Sequence, residues 1–415
     1  MEKLPSKTFC ILPWMHINFW PNGDVHHCCL GDWRNPMGNL RDGKPDEIIN
    51  NDAYKKLRLQ LLAEEKPKSC NRCFEREDVG ATSMRNHHNE FFANSIPGVL
   101  ENTHSDGTVD NFKFEYWDFR FSNLCNMKCR MCGSGFSSMW YDEEIELSKQ
   151  GDGLFHLQAS KKVMNAQDDA DFDAKSWIDE KINDVKYVYF AGGEPLIMDE
   201  HYYILQKLID AGRTDVRIRY NTNLLKLHFK HYDLVEMWSK FDFVQVNASI
   251  DDIGARAEYI RAGTVWNDIE NNLQRLHKTN VRLLIDCTTQ LMNVLTLPKL
   301  YKRLKELGVP GNRIMLHNIL QQPESFNVKV LTPELKDKAK QQLFDYANSL
   351  PDKEKTIMLE QIKPLIEFMY TETHANRNSL RRQFRRKQTA LDNLRKENFT
   401  DVFPHLEEWY NGIPV

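Results

Sequence analysis

The chain has 415 residues, with 55 Lys plus Arg against 59 Asp plus Glu and a formal net charge of −4. So balanced a total makes no electrostatic case for nucleic acid or a membrane surface, and 27% charged with 41% hydrophobic residues excludes a disordered or fibrous chain. A mean hydropathy of −0.59 with no 18-residue apolar run excludes a transmembrane helix; MEKLPSKTFCILPWM lacks the apolar stretch of a secretory signal, so the expected place is the cytoplasm.

Along the chain, residues 1–108 carry five cysteines and little strand–helix rhythm. A strand, a tight PNGD turn at 21–24 and a second strand are expected to lead into Cys28 and Cys29. A strand at 116–122 (YWDFRFS) precedes a cysteine loop and a helix from about Ser134. Residues 150–184 are polar and read as an irregular insertion. Strands follow at 185–190, 215–221, 243–250, 281–288 and 313–319, spaced by helices at 201–212, 265–278 and 297–307. That alternation predicts parallel βα units, hence an α/β sheet or barrel. Residues 331–415 read as helical and highly charged, with RRQFRRK at 381–387, a run expected to form a solvated helix face. The expected domains are 1–108, 109–330 and 331–415.

Eight of the nine cysteines fall in the first third of the chain, at 10, 28, 29, 70, 73, 125, 129 and 132; the ninth is Cys287. In a reducing compartment such clusters favour metal ligation over disulfides. SNLCNMKCRMCGSG places Cys125, Cys129 and Cys132 at C-x3-C-x2-C on one loop. Three thiolates so spaced can hold three irons of a cubane and leave the fourth open to a small ligand. Structural zinc would want a fourth ligand close by, and Gly133, Ser134 and Gly135 come next.

This motif resembles that of the radical S-adenosylmethionine (SAM) enzymes, and the resemblance covers roughly residues 112–330. It implies an open (β/α)6 TIM-like partial barrel, a [4Fe–4S] cluster on the three cysteines, and SAM chelated to the open iron. One electron would cleave SAM and release a 5′-deoxyadenosyl radical that abstracts hydrogen from substrate. Met131 stands where the family often has an aromatic residue whose backbone contacts adenine. Gly192, Gly193, Glu194 and Pro195 resemble the family's GGEP motif, which implies a seat for the SAM ammonium. Asn221 and Asn223 resemble its strand-three motif, and Ser249 and Asp251 its strand-four Ser-x-Asp. Arg261 resembles the arginine that pairs with the SAM carboxylate.

Cys10, Cys28 or Cys29, Cys70 and Cys73 offer four thiolates from three places, suited to closed zinc or a fully ligated iron–sulfur cluster. Cys28 is the first choice and Cys29 the reserve, because side chains of adjacent residues diverge in a strand. The stretch Phe9–Glu75 resembles the SPASM/twitch auxiliary domains, which implies a second [4Fe–4S] cluster, here preceding the core.

Strand alternation gives a separate expectation. Arg217, Arg219 and Asn221 share one face, as do Gln245, Asn247 and Ser249, and Asp286 and Thr288. A sheet buried on both sides would be apolar throughout. Arg219, Asn247, Asp286 and His317 are therefore expected to line a polar interior, and Cys287 to lie buried on the apolar face. The sequence thus reads as a radical SAM enzyme of unidentified substrate. An external electron donor such as flavodoxin or ferredoxin is expected; no membrane or nucleic acid partner is indicated. The alternative is a non-catalytic iron–sulfur or zinc scaffold that binds a partner.

Overall fold

The computed structural model describes residues 4–414 except 79, 152, 169 and 372–375. In chain order the strands are β1 His16–Phe19, β2 Asp24–His26, β3 Gly38–Asn39, β4 Tyr116–Phe119, β5 Lys128–Cys129, β6 Tyr187–Phe190 and β7 Arg217–Thr222. They continue as β8 His228–Phe229, β9 Tyr232–Asp233, β10 Val244–Ser249, β11 Arg261–Ala262, β12 Arg282–Thr289 and β13 Ile314–Ile319. The expected core strands all form, each within two or three residues of its expected bounds. The chain divides into two compact units.

The first unit comprises residues 1–123, 163–219 and 240–243. Its strands run in the order β6–β4–β1–β2–β3. The PNGD turn joins β1 and β2 as an antiparallel pair, while β1 lies parallel to β4, with Asn18 opposite Asp118. The N-terminal hairpin is thus an extension of the sheet that holds the first core strand. Trp117 packs on Trp177 of helix Ala174–Lys181 at 5.3 Å, so the end of the 150–184 stretch is helical rather than irregular. Asp173 caps that helix by accepting from the Lys175 N–H.

The second unit comprises residues 124–162, 220–239 and 244–415. Here β10, β12 and β13 are parallel neighbours, β5 pairs antiparallel with β11, and β8 with β9. On β12, Leu283, Ile285 and Cys287 are buried, while Leu284, Asp286 and Thr288 on the other face stay half-buried. The expected helix from Ser134 starts late: turns occupy 133–137, because Ser134 bonds Glu144 through both its N–H and its hydroxyl. A 3-10 turn Ser138–Trp140 then opens helix Tyr141–Ser148. Among the described residues no helix is long and apolar enough to cross a membrane.

The alternation holds for Asn247, which is buried and accepts from Gln245 Nε2, and for Asp286, which accepts from Asn318 Nδ2 at 3.2 Å. It fails at His317. A bulge shifts the register after Asp286, which pairs with Met315, so that Asn318 pairs with Thr288 and its side chain reaches back to Asp286. His317 turns instead to Gln361 of helix Asp352–Tyr370, which also accepts the Leu316 N–H at 3.1 Å.

Candidate functional site

The core cysteines sit on a tight loop of the second unit. Cys129 is buried, Cys125 half-buried and Cys132 exposed, and all three are free thiols. The Met127 N–H donates to Cys125 Sγ at 3.4 Å, and the Cys132 N–H donates to the Cys129 carbonyl at 2.9 Å. β11 sets Arg261 opposite Cys129. Gly263 follows with φ +103, and a Cβ there would lie 2.7 Å from the Asn126 carbonyl oxygen, so only glycine permits this closure. Asn223 Nδ2 donates to Asn126 Oδ1 at 2.7 Å, tying the end of β7 to the cysteine loop.

Arg261 reaches Cys129 Sγ at 3.8 Å and pairs with Asp251 through Nε at 2.8 Å and Nη2 at 3.2 Å. The carboxylate of Asp251 also accepts the Thr288 N–H at 2.8 Å. The guanidinium expected to meet a SAM carboxylate is therefore held in place by a buried partner. The Cys129 thiol is pulled down to about 7, first by its hydrogen bond with Cys132 and further by Arg261, against the effect of burial. The same bond pushes the Cys132 thiol up. Met131 is half-buried between them in sequence, and Ser249 is half-buried at the end of β10.

The residue after Cys129 was not marked by sequence reading. Arg130 is buried and donates to the Tyr259 carbonyl at 3.1 Å, Gln388 Oε1 at 2.7 Å, Asp392 and Glu397. Its guanidinium lies 3.4 Å from the Tyr259 ring centroid. Helix Arg377–Arg395 thus grips the cysteine loop. Its basic run is only partly a solvated face: Arg381 donates to the Val330 carbonyl, and Arg385 to the Asn411 carbonyl.

In the first unit, Gly192 has φ +117, and a Cβ there would come within 3.2 Å of Arg120 backbone. The Gly193 N–H donates to the Ser122 carbonyl at 3.1 Å. Glu194 is buried and accepts the Leu196 N–H across a 3-10 turn that opens at Pro195. Asn221, in the second unit, has a buried Oδ1 without a partner among the described residues.

The N-terminal thiols meet at one cavity. Cys10, Cys28, Cys70 and Cys73 line it together with His27 and Arg85; Cys29 does not. The Leu30 N–H lies 3.3 Å from Cys28 Sγ, and His27 Nε2 lies 3.6 Å from Cys70 Sγ. Burial pushes the Cys70 thiol up to about 11 and the His27 ring down to about 4, leaving the ring neutral. Four thiols lining one space beside a backbone donor and a cation are a donor set whose chemistry suits a thiolate-bound cluster. Cys29 Sγ instead faces Met84 Sδ at 3.7 Å. Cys287 is fully buried, as expected.

The described residues thus set three cysteines on one loop of the second unit and four cysteines around one cavity of the first. Residues 119–297 match the model of the Radical SAM superfamily, and residues 10–74 that of SPASM, an iron-sulfur cluster-binding domain. The chain thus carries a region similar to the Radical SAM superfamily, with a SPASM-like region ahead of it. Its fold is mixed α/β, with parallel strands in each unit. The two domains imply SAM, a [4Fe–4S] cluster and auxiliary iron–sulfur chemistry as cofactors. Among solved structures, native anSMEcpe with bound AdoMet is 16% identical over 56% of this chain and 59% of its own, with a TM-score of 0.36. Streptococcus suis SuiB bound to S-adenosylmethionine is 13% identical over 81% of this chain and 69% of its own, with a TM-score of 0.37. The chain thus spans less than two thirds of the length of anSMEcpe. No curated protein matches it.

Proposed function

We propose that this chain reductively cleaves SAM at a [4Fe–4S] cluster on Cys125, Cys129 and Cys132 and abstracts hydrogen from a peptide, small-molecule or nucleotide substrate. Bound there, cluster and SAM supply radical chemistry once an external donor such as flavodoxin or ferredoxin delivers an electron. The observation that carries the reading is the closure of one loop. The loop that bears the three thiols is joined to Arg261 through Cys129 and to Asn223 through Asn126. Arg261 sets positive charge beside the Cys129 sulfur, and Asp251 fixes the guanidinium plane. Met131, Ser249, Asn221 and Asn223 lie on the same loop and strand ends as candidate SAM contacts. Gly192, Gly193, Glu194 and Pro195 form a turn whose glycines permit close backbone approach. Cys10, Cys28, Cys70 and Cys73 are the proposed ligands of the auxiliary cluster, with electron transfer or a structural role.

Anaerobic reconstitution tests this directly. The expected product is a brown protein with about eight irons per chain that forms 5′-deoxyadenosine from SAM and a reductant. Replacing Cys125, Cys129 or Cys132 by Ala is expected to abolish that product. Colourless, zinc-loaded wild-type protein would overturn the reading, and brown protein that leaves SAM intact would favour a binding scaffold.

A further inference from the structure

The strands of the first unit carry a polar layer that none of the cofactor motifs uses. Register aligns Asn18, Asp118 and Tyr189 in one row across β1, β4 and β6, and His16, Tyr116 and Tyr187 in a second row two residues earlier. The opposite face goes to helices: Trp117 packs on Trp177, and Phe190 on His201 at 4.7 Å. The earlier row is closed by rings. His16 stacks on Tyr116 at 4.2 Å, His88 lies 4.9 Å from Tyr116, and Phe91 lies 5.6 Å from Tyr187. Polar side chains above such a floor have few places to go.

The charges in this layer do not balance. Asp118 is fully buried, accepts from Asn18 Nδ2, and has Arg120 Nε at 3.5 Å from its Oδ1. Those two opposite charges compensate each other. Arg219, on β7, lies 5.6 Å from the Tyr189 ring centroid and beside Tyr187. Its Nε is buried without a hydrogen-bond partner, and no carboxylate pairs with it among the described residues. Buried cations are ordinarily paired. Arg219, Tyr187 and Tyr189 are all half-buried, so the group stays within reach of a ligand. The layer also abuts the GGEP turn, since a Cβ on Gly192 would come within 3.2 Å of Arg120 Cα.

We propose that Arg219, framed by Tyr187 and Tyr189, anchors a carboxylate of the substrate. Two guanidiniums against one carboxylate leave one uncompensated positive charge, which a monoanion neutralises and a phosphate dianion would overshoot. The planar fork of arginine matches the two oxygens of a carboxylate, and the phenols supply further donors beside it. The proposal rests on the functional reading above for the substrate's place, and it extends that reading to the substrate's chemistry.

Paired probes test it by saturation-transfer NMR on the reconstituted holoprotein with SAM. Acetylglutamate methylamide presents a side-chain carboxylate and acetyl-alanyl-alanine a terminal one. Acetylglutamine methylamide and acetyl-alanyl-alaninamide are their neutral twins, and methyl phosphate is the rival anion. At least one acid is expected to bind about tenfold tighter than its amide twin; which acid does so identifies the source of the carboxylate. Arg219→Gln is expected to remove that preference and Arg219→Lys to keep part of it, with iron content and thermal midpoint as checks on folding. Equal binding of acids and amides, binding of neither, tighter binding of methyl phosphate, or a preference that survives Arg219→Gln would each overturn the anchor. Wild-type holoprotein that fails to form 5′-deoxyadenosine sinks the radical reading, while the probe comparison still decides the anchor.

Discussion

Arg58 has no exposed surface, yet it is a cation. It donates to the Pro13 carbonyl at 2.9 Å, to Asn50 Oδ1 and the Gly107 carbonyl at 3.0 Å each, and to the Ile49 carbonyl at 2.6 Å. Four segments of the first unit meet at one side chain. Arg58→Ala would leave those acceptors dry, so a loss of about 3 kcal/mol is expected in urea unfolding. Cys287 is a contrasting case. Its thiol touches the Asp251 carbonyl and Asn293 Nδ2 at 3.7 Å each, and burial holds it far above the usual range. Cys287→Ala is expected to cost about 1 kcal/mol, with iron content unchanged. The cysteine motifs were legible because their spacing is local. Arg58 and Arg130 were not, because their partners lie far away in sequence. Asp118 and Arg120 did leave a signal: opposite charges two apart in an otherwise aromatic strand.

At the scale of elements, the helix Arg377–Arg395 reads in sequence as a charged surface helix. Its other face buries Leu380, Phe384, Gln388 and Leu391, and its Asp392 pairs with Arg130 beside Cys129. Removing one partner of a buried pair leaves the other charge stranded. Asp392→Ala is therefore expected to cost about 3 kcal/mol and to hasten iron loss to a chelator, followed by cluster absorbance. Deleting residues after 390 removes Asp392 and Phe399 together, and the same assay should show a larger effect. The β13 bulge marks a limit of pattern reading: period-2 alternation assigns faces correctly on β10 and β12, then inverts where one extra residue enters.

For the whole molecule, the parallel βα units were legible from alternating strands and helices, but the pairing of the N-terminal hairpin was not. The hairpin that carries Cys28 pairs with β4, and no local pattern announces a parallel contact across 100 residues. A chain begun at residue 109 would expose the β4 edge and Tyr116, Trp117 and Phe119; aggregation by light scattering is expected. Acid sensitivity also belongs at this scale. Burial lowers His16, His88 and His201 from 6.5 to about 3. Between those values the unfolded chain binds protons that the folded chain cannot. Stability is therefore complete above pH 6.5 and falls as the solution is acidified. Each histidine contributes about 1.4 kcal/mol per pH unit, so the three together should lower stability by about 4 kcal/mol at pH 5.5. Urea midpoints at pH 7 and pH 5.5 check this, and equal midpoints would contradict it.

The pairing of β5 with β11 carries a consequence for biogenesis. Cys129 meets Arg261 only through a strand made more than 130 residues later. During synthesis on the ribosome, the three-cysteine loop stays unfinished until that strand has emerged. The four-cysteine cavity, lined by residues from Cys10 to Arg85, has all its lining in hand far sooner. Vectorial synthesis thus gives the two proposed centres a built-in order: the four-cysteine cavity can be completed first, and the three-cysteine loop last.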